Sequence, residues 1–508
     1  MKKFYYLLAA ALFVAASCEK SPVDQGTTDA GNLYMQFSVK MLSTRSQTDN
    51  KGDNGGNSNS NANPDTEVGL DKENKISSVD IALVGPNSTV VASNVTPTAA
   101  NTSTYVAKFD TKALVAGTAY KVYIYANCPA PAAVDINAVS EAAIAEMTAD
   151  NKFWMTNAYE ATAVTITADD LKKCTTPQNP CNLGAYTVER SMARFDYKQA
   201  GAFNMGAGIT LTLTDAALIN QSKAHYMFRR VTAGTDATAE GALVGGVETP
   251  NNWVVDTDWK SKTPAGFDKQ LGDPANWSWT SVASLTTDDN YTDDAGAYKI
   301  WCYAKENTIP GIDAQKHDVS TGVVFKGELA AGDNASTAVK NAMAAGKRIY
   351  VFNNVLYGAW SDVKTAAVAG TNAPLQAAYN QAAATIADPA TEPTGAAAAA
   401  AGFTGYSPKD GKYYNYYYYW NRHNDNLDNN VMGIMEFAVV RNNVYKLAVN
   451  SINRFGHPTP PDPSNPDPDP EPDPDPVDPD KPDESVNYYF NVTVKVLPWT
   501  VRINNIIF

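Results

Sequence analysis

Leu33, Met35, Phe37, Val39 and Met41 alternate with less apolar neighbours. A period of two places those five side chains on one face of a strand. Residues 46–68 follow with hardly an apolar side chain, which predicts a flexible, solvated loop of the kind proteases cut. Val79, Ile81 and Leu83 alternate again before Gly85 and Pro86 stop the run. Residues 105–109 and 121–126 predict two more strands, and residues 133–150 have the spacing of a short helix. A second block opens at residues 186–195, with strands predicted at 209–213, 298–304, 323–325, 348–357 and 413–420. Residues 435–440 and 444–449 predict a closing strand pair. Short strands at such intervals indicate β-sandwiches. Residues 364–402, rich in Ala, Gly, Thr and Pro, predict a partly helical surface excursion.

The two ends depart from this pattern. Lys2 and Lys3 precede an apolar run over residues 4–16, far shorter than the ~20 residues that span a bilayer. This is the form of a secretory signal. The run ends Ala15-Ala16-Ser17-Cys18, which is similar to a bacterial lipobox in which Cys18 is lipidated. The alternative is ordinary signal cleavage beside an incidental cysteine. At the other end, residues 458–484 alternate Asp with Pro. Proline fixes φ and removes the backbone donor, so this segment should be an extended spacer. At ~3.1 Å per residue it could reach roughly 75 Å. After it the chain turns apolar again. Val492, Val494 and Val496 alternate, as do Trp499, Val501 and Ile503, and they read as two strands broken at Pro498. Apolar strands on a long tether must be buried somewhere, since exposed they invite aggregation.

Charge and chemistry narrow the classes. The net charge is −14, but residues 458–484 hold ten acids against one base. Their net of −9 leaves −5 for the rest of the 508 residues. No basic face is indicated, and a nucleic-acid partner is not expected. Beyond Cys18 there are Cys128, Cys174, Cys181 and Cys302. Cys174 and Cys181 flank a turn-like segment and could close a small disulfide loop, or all four could be free thiols. The four histidines, His225, His317, His423 and His457, form no zinc pattern. There is no nucleophile elbow or phosphate loop. No catalytic residue, metal or cofactor is expected, although a pair of glycosidase carboxylates needs only geometry.

Taken together, the ends suggest a mechanism. A cut after Arg45 would free the strand over 33–44 and open an apolar groove. The C-terminal strands of another copy could fill that groove by strand addition. Five or six buried apolar side chains at ~1.5–3 kcal/mol each give a gross ~8–18 kcal/mol before ordering costs. Donor and acceptor surfaces differ, so the contact is head-to-tail and makes an open filament. Two alternatives stay open: the early strand is never cut, or the C-terminal strands fold back onto their own domain.

Several stretches carry a family resemblance. They are Thr187-Val188-Glu189-Arg190-Ser191-Met192-Ala193-Arg194, Val440-Arg441-Asn442-Asn443-Val444-Tyr445 with Ser451-Ile452 and Phe455-Gly456, Pro461-Asp462-Pro463-Ser464-Asn465-Pro466, and Val492-Thr493-Val494-Lys495-Val496-Leu497-Pro498-Trp499. Together with the lipobox, the early strand and the Arg before a polar loop, they resemble the fimbrillin (type V pilin) family of Bacteroidales. Within it the chain is most similar to shaft subunits of the short, or minor, fimbriae of Porphyromonas. The resemblance implies a mainly β fold of two transthyretin-like β-sandwich domains in tandem, with a C-terminal donor-strand extension. The implied division is a signal peptide over 1–18, a propeptide with the early strand over 19–45, an N-terminal sandwich over 46–185, a C-terminal sandwich over 186–457, the spacer over 458–485 and donor strands over 486–508. It also implies lipidation at Cys18, cleavage between Arg45 and Ser46 by an arginine-specific surface protease, and polymerisation by strand exchange. The implied partners are other copies of the chain, anchor and tip fimbrial subunits, and host or bacterial adhesion ligands in biofilm formation. The implied location is a cell-surface fimbrium, with the precursor lipid-anchored in the outer membrane.

An anchor or tip subunit is the nearest competing reading. Both an early strand and a donor strand are present, which favours a shaft subunit. A surface glycan-binding lipoprotein is the other, with Tyr413, Tyr414, the four tyrosines 416–419 and Trp420 as a stacking platform. Against it, alternate tyrosines of a strand would pack inside a sandwich.

Overall fold

A computed structural model describes residues 31–41, 67–99, 102–130, 135, 137–199, 201–234, 243–246, 248–249, 251–285, 298–310, 318–388, 391–424, 432–460 and 490–501. Chain segments before and between these stretches, and after residue 501, lie outside the described residues.

The first unit is one eight-stranded sheet. Its strands are β1 (Asn32–Met41), β3 (Val79–Val84), β4 (Thr89–Val95), β5 (Thr104–Asp110), β6 (Thr118–Ala126), β7 (Met155–Asn157), β8 (Ala163–Ile166) and β9 (Cys181–Arg190). They run in the order β4-β3-β6-β7-β9-β1-β5, with β8 added alongside β6. The end strands β4 and β5 are consecutive in sequence and meet at the Pro97–Tyr105 bridge, so the sheet rolls around a single core. The period of two is the cause: Val79, Ile81, Leu83, Tyr105, Ala107, Phe109, Val122 and Ile124 all point inward and are buried.

The second unit is a sandwich of two sheets. One contains β2 (Glu67–Gly69), β10 (Ala193–Lys198), β13 (Tyr298–Ala304), β19 (Asn443–Ile452) and β20 (Phe490–Val501), in the order β2-β20-β19-β10-β13. The other contains β11 (Phe203–Gly206), β12 (Ile209–Ile219), β14 (Gly322–Ala331) and β18 (Tyr413–Trp420), with the short strand Thr280–Ser281 on β12. Phe195, Tyr197, Leu211, Phe325, Tyr417, Tyr445 and Leu447 pack between the two sheets. Both units are thus β-sandwich-like and stand in tandem.

Four local expectations need correction. Residues 133–150 hold only the single helical turn Ile144–Met147 and the short strand Val139–Ser140 among the described residues. Residues 435–440 form turns and one bridge, Val439 to Asn307, instead of a strand, because Glu436, Ala438 and Val440 turn into buried contacts with Arg422, Asn421 and Tyr445. Residues 364–402 are partly helical, as expected, but they pack as a small subdomain and not as an excursion. Helices α1 (Trp360–Val368), α2 (Ala373–Ala383) and α3 (Gly395–Ala400) close over the small sheet of β15 (Ile349–Phe352), β16 (Val355–Tyr357) and β17 (Thr404–Tyr406). Their core joins Tyr350, Trp360, Val363, Leu375 and Phe403, with Trp360 edge-on to Phe403 at 5.2 Å. The C-terminal tail is one strand through Pro498. The proline is opposite Asn443 at the end of the β19 ladder, and the next residue, Trp499, pairs with Glu67 of β2. A residue without an N–H is tolerated there because the strand changes partner at that point.

The chain passes between units at Ser191 and Met192, and the junction is charged and buried. Arg194 lies 3.0 Å from Glu73 and forms a fork of two 2.9 Å bonds to Asp196. Tyr303 donates to the other Glu73 oxygen at 2.6 Å. Arg190 donates to the Glu73 carbonyl oxygen and to Asn74, and burial lowers its pKa to about 9. Beside this group Glu189 binds Arg229 at 2.7 Å, and Glu248 meets His423 at 2.5 Å. Arg441 binds Glu306 at 2.7 Å, and the Asn442 N–H donates to the Met192 carbonyl. Every one of these ionic side chains is out of water. Buried charges persist when paired, and such pairing fixes one relative arrangement of the elements that carry it.

One buried and one half-buried imidazole, His225 and His457, give the second unit a pH dependence. Burial holds His457 at about 4, and burial with the nearby Arg441 and Lys305 holds His225 well below the usual histidine range. Both are neutral when folded, whereas the unfolded chain takes up protons below about 6.5. The stability they contribute is present above pH 6.5 and is lost as the pH falls toward 4, roughly 3 kcal/mol for His457. Asp256, raised by burial to about 6, opposes this between pH 4 and 6. Urea midpoints from pH 7.5 to 4.5 should fall with acid, and His457→Gln should flatten that fall. Equal slopes for both proteins would refute the assignment.

Candidate polymerisation site

β1 occupies the interior of the first sheet, not its edge. It pairs antiparallel with β5 from Asn32↔Asp110 to Ser38↔Thr104, and parallel with β9 from Met35↔Cys181 to Met41↔Val188. A shift of register falls between Gln36 and Phe37 on the β9 side, where the partner skips from Asn182 to Gly184. Gly184 has φ of +105°, a conformation open to glycine. The five alternating residues Leu33, Met35, Phe37, Val39 and Met41 are 0–8% exposed, while Asn32, Gln36 and Lys40 face solvent. Phe37 stacks on Tyr105 with ring centroids 5.4 Å apart. The expected face of the early strand is therefore the face that the core receives.

The surroundings make a slot. β5 has no ladder partner other than β1 among the described strands. Without β1, β5 and β9 would both present unpaired backbone, with Tyr105, Ala107, Phe109, Leu183, Tyr186 and Val188 left around an empty apolar channel. The slot is closed beyond the ladders too. Tyr34 N–H donates to the Cys174 carbonyl at 2.8 Å and Val39 N–H to the Ser103 carbonyl at 2.9 Å. Thr111 donates through both N–H and Oγ1 to the Gly31 carbonyl.

Cys174 and Cys181 are joined by a disulfide, and both sit in the core beside β1. The sequence left this pair open. Cys128 and Cys302 are free, and burial raises both thiols. The three-residue group Asp170, Cys174 and Cys181 lies close enough to hold a metal only if the disulfide were absent.

The other proposed site residues fall as follows. Cys18, Arg45 and Ser46 lie outside the described residues, as do Ile503 and most of the spacer. Val492, Val494, Val496, Trp499 and Val501 lie in β20, of which the backbone ladder is described. That ladder runs antiparallel along β19 of the same chain, from Ile452↔Phe490 to Asn443↔Pro498. The tail thus rests on its own second unit, the arrangement left as an alternative above. The aromatic strand β18 is covered on both faces. Tyr413 and Tyr417 enter the sandwich core, while Tyr416, Tyr418 and Trp420 pack under Phe267, Leu271 and Trp277. A sugar-stacking platform needs exposed rings, and five of these seven are buried. What the sequence did not reveal is that Glu73, His423 and Glu248, far apart along the chain, join the charged junction. The motif residues Glu189, Arg190, Arg194 and Arg441 were the available signal, since charged residues in apolar strand patterns call for buried partners.

Two tandem sandwich-like units, the first with a strand-shaped slot filled by the N-terminal strand, define the architecture. Against known proteins, residues 411–505 match a family model described as major fimbrial subunit protein type IV, fimbrillin, C-terminal. Over that stretch the resemblance to fimbrillins is borne out. No curated protein matches the chain. Similar solved structures include a fimbrilin of Porphyromonas gingivalis W83, 14% identical, covering 94% of this chain and 100% of that one with a TM-score of 0.40. The C-terminally truncated tip fimbrial protein Mfa3 of Porphyromonas gingivalis is 10% identical, covering 92% and 100% at a TM-score of 0.35. A fimbrial assembly protein of Parabacteroides distasonis ATCC 8503 is 8% identical, covering 59% and 96% at 0.24.

Proposed function

We propose that this chain is a non-enzymatic structural subunit of a surface fimbria, of the shaft type. In this reading it is exported as a lipoprotein through Cys18 and cut between Arg45 and Ser46. It then polymerises head-to-tail, with residues 486–508 of one copy entering the slot vacated by β1 of the next. The observation that supports this best is the position of β1. An N-terminal strand in mid-sheet, flanked by two strands and joined onward through the segment with Arg45, is an element that a cut at Arg45 would free and whose loss leaves a strand-shaped vacancy. Removal of an edge strand would leave none.

The pairing of β20 with β19 is assigned to the unpolymerised chain, in which the apolar tail is covered until a neighbour's slot opens. An extended Asp-Pro spacer, at ~3.1 Å per residue, would carry it across. The test is the N-terminal sequence of high-mass material sheared from cells. A start at Ser46 is expected. A blocked start at Cys18 with no ladder of multimers would overturn the shaft reading and leave an uncut anchor subunit. Deleting residues 486–508 should leave monomers that still fold, and multimers surviving that deletion would contradict the donor role.

A further inference from the structure

The geometry points to the Cys174–Cys181 disulfide as a clamp on the acceptor slot, one that positions the wall holding β1 and, after exchange, the incoming strand. This rests on the strand-exchange reading above. The β9 ladder begins only at Met35↔Cys181, so β9 alone cannot engage the N-terminal end of β1. One residue further back, the Tyr34 N–H finds its acceptor in the carbonyl of Cys174. Cys174 is not part of β9. It closes the helix Ala168–Lys173, which starts on a capping box between Thr167 and Asp170. The residues between, Thr175 to Pro180, are largely exposed and contain two prolines, so they form no ladder that would hold the helix end in place.

The disulfide does so directly. It ties the helix terminus to the first residue of β9, and the wall of the slot continues past the strand's start. Both sulfurs lie in the core that also receives Leu33 and Met35. The other ties on this loop are weaker. Asn179 donates to the Lys173 carbonyl at 2.8 Å at the surface, and Cys181 lies 3.2 Å from Asp170. A covalent link across seven residues restricts the loop far more than these. A strand replacing β1 in the same register would place its own N–H at the Tyr34 position and meet the same carbonyl. The clamp therefore slows loss of whichever strand fills the slot.

The test uses the full chain, cut after Arg45 with an arginine-specific protease. An excess of a synthetic peptide of residues 486–508 is added, and release of the fragment ending at Arg45 is followed by mass spectrometry. The oxidised chain is compared with the chain reduced by dithiothreitol, in which two electrons and two protons pass to the cysteines as the dithiol closes its own disulfide. Cys128 and Cys302 are already thiols and do not change. Release should be about five- to tenfold faster after reduction, the scale of one lost hydrogen bond. The double variant Cys174→Ser, Cys181→Ser without reductant should match the reduced chain. Near-ultraviolet circular dichroism confirms that each form is folded, and if the double variant is not, the oxidised and reduced native chains decide. Equal release rates would overturn the clamp and leave strand exchange intact. No release from either form would overturn strand exchange, and the clamp with it.

Discussion

Phe37→Ala should lower the stability of the first unit by about 3–5 kcal/mol, the range for truncating a fully buried aromatic. Phe37 is 1% exposed, lies at the middle of β1 and stacks on Tyr105. The site cannot collapse easily, because β5 and β9 are held apart by the backbone of β1 itself. Lys40→Ala, on the solvent side of the same strand, should stay within about 0.5 kcal/mol. Urea denaturation followed by a signal from the first unit would measure both. Comparable effects at the two positions would mean that β1 is not the core strand described. The contrast also bears on assembly. A donor must supply an apolar side chain where Phe37 sits, and a polar residue at that register should exchange poorly.

The second large effect is expected at Glu73. Its carboxylate accepts from Arg194, Tyr303 and the Leu70 N–H, and its carbonyl accepts from Arg190. Glu73→Ala would remove the carboxylate shared by the buried Arg194 guanidinium and the half-buried Tyr303 phenol, next to a second buried guanidinium, Arg190. Breaking a buried pair from one side costs about 3–5 kcal/mol, since the remaining charge stays out of water. Glu73 lies between β2 of the second unit and β3 of the first, its carbonyl accepts from Arg190 of β9, and Arg194 belongs to the second unit, so the cost should appear in both units together. Denaturation monitored separately in each should show the two transitions moving in step. A loss confined to one unit would show that the junction does not couple them.

Much of this was legible in the chain. The alternation at Leu33, Met35, Phe37, Val39 and Met41 determines an inward face, because side chains of a strand point to opposite sides whatever their partners. Residues 133–150 hold their expected helix only as the single turn Ile144–Met147, and 435–440 form no strand, because short apolar runs have the same appearance as helix, strand or packed turn. Composition alone indicates helix in the Ala-rich stretch 364–402 but not how those helices pack. Its helices are amphipathic at low contrast, and Trp360, Leu375 and Phe403 meet only once the chain folds.

What the sequence by itself determined is therefore local: which strands are amphipathic, where the chain is exposed and which motifs are charged. Only the tertiary structure decided that β1 lies between β5 and β9, that Cys174 and Cys181 border its slot, and that Glu73 reaches Arg194 and Tyr303. It also decided that the tail lies on β19 as one strand through Pro498. These are pairings between residues tens to hundreds of positions apart. A strand's pattern fixes which face it buries and carries no information about which neighbour will hydrogen-bond to its edges. The partner is selected by loop lengths, register and the joint burial of a whole core.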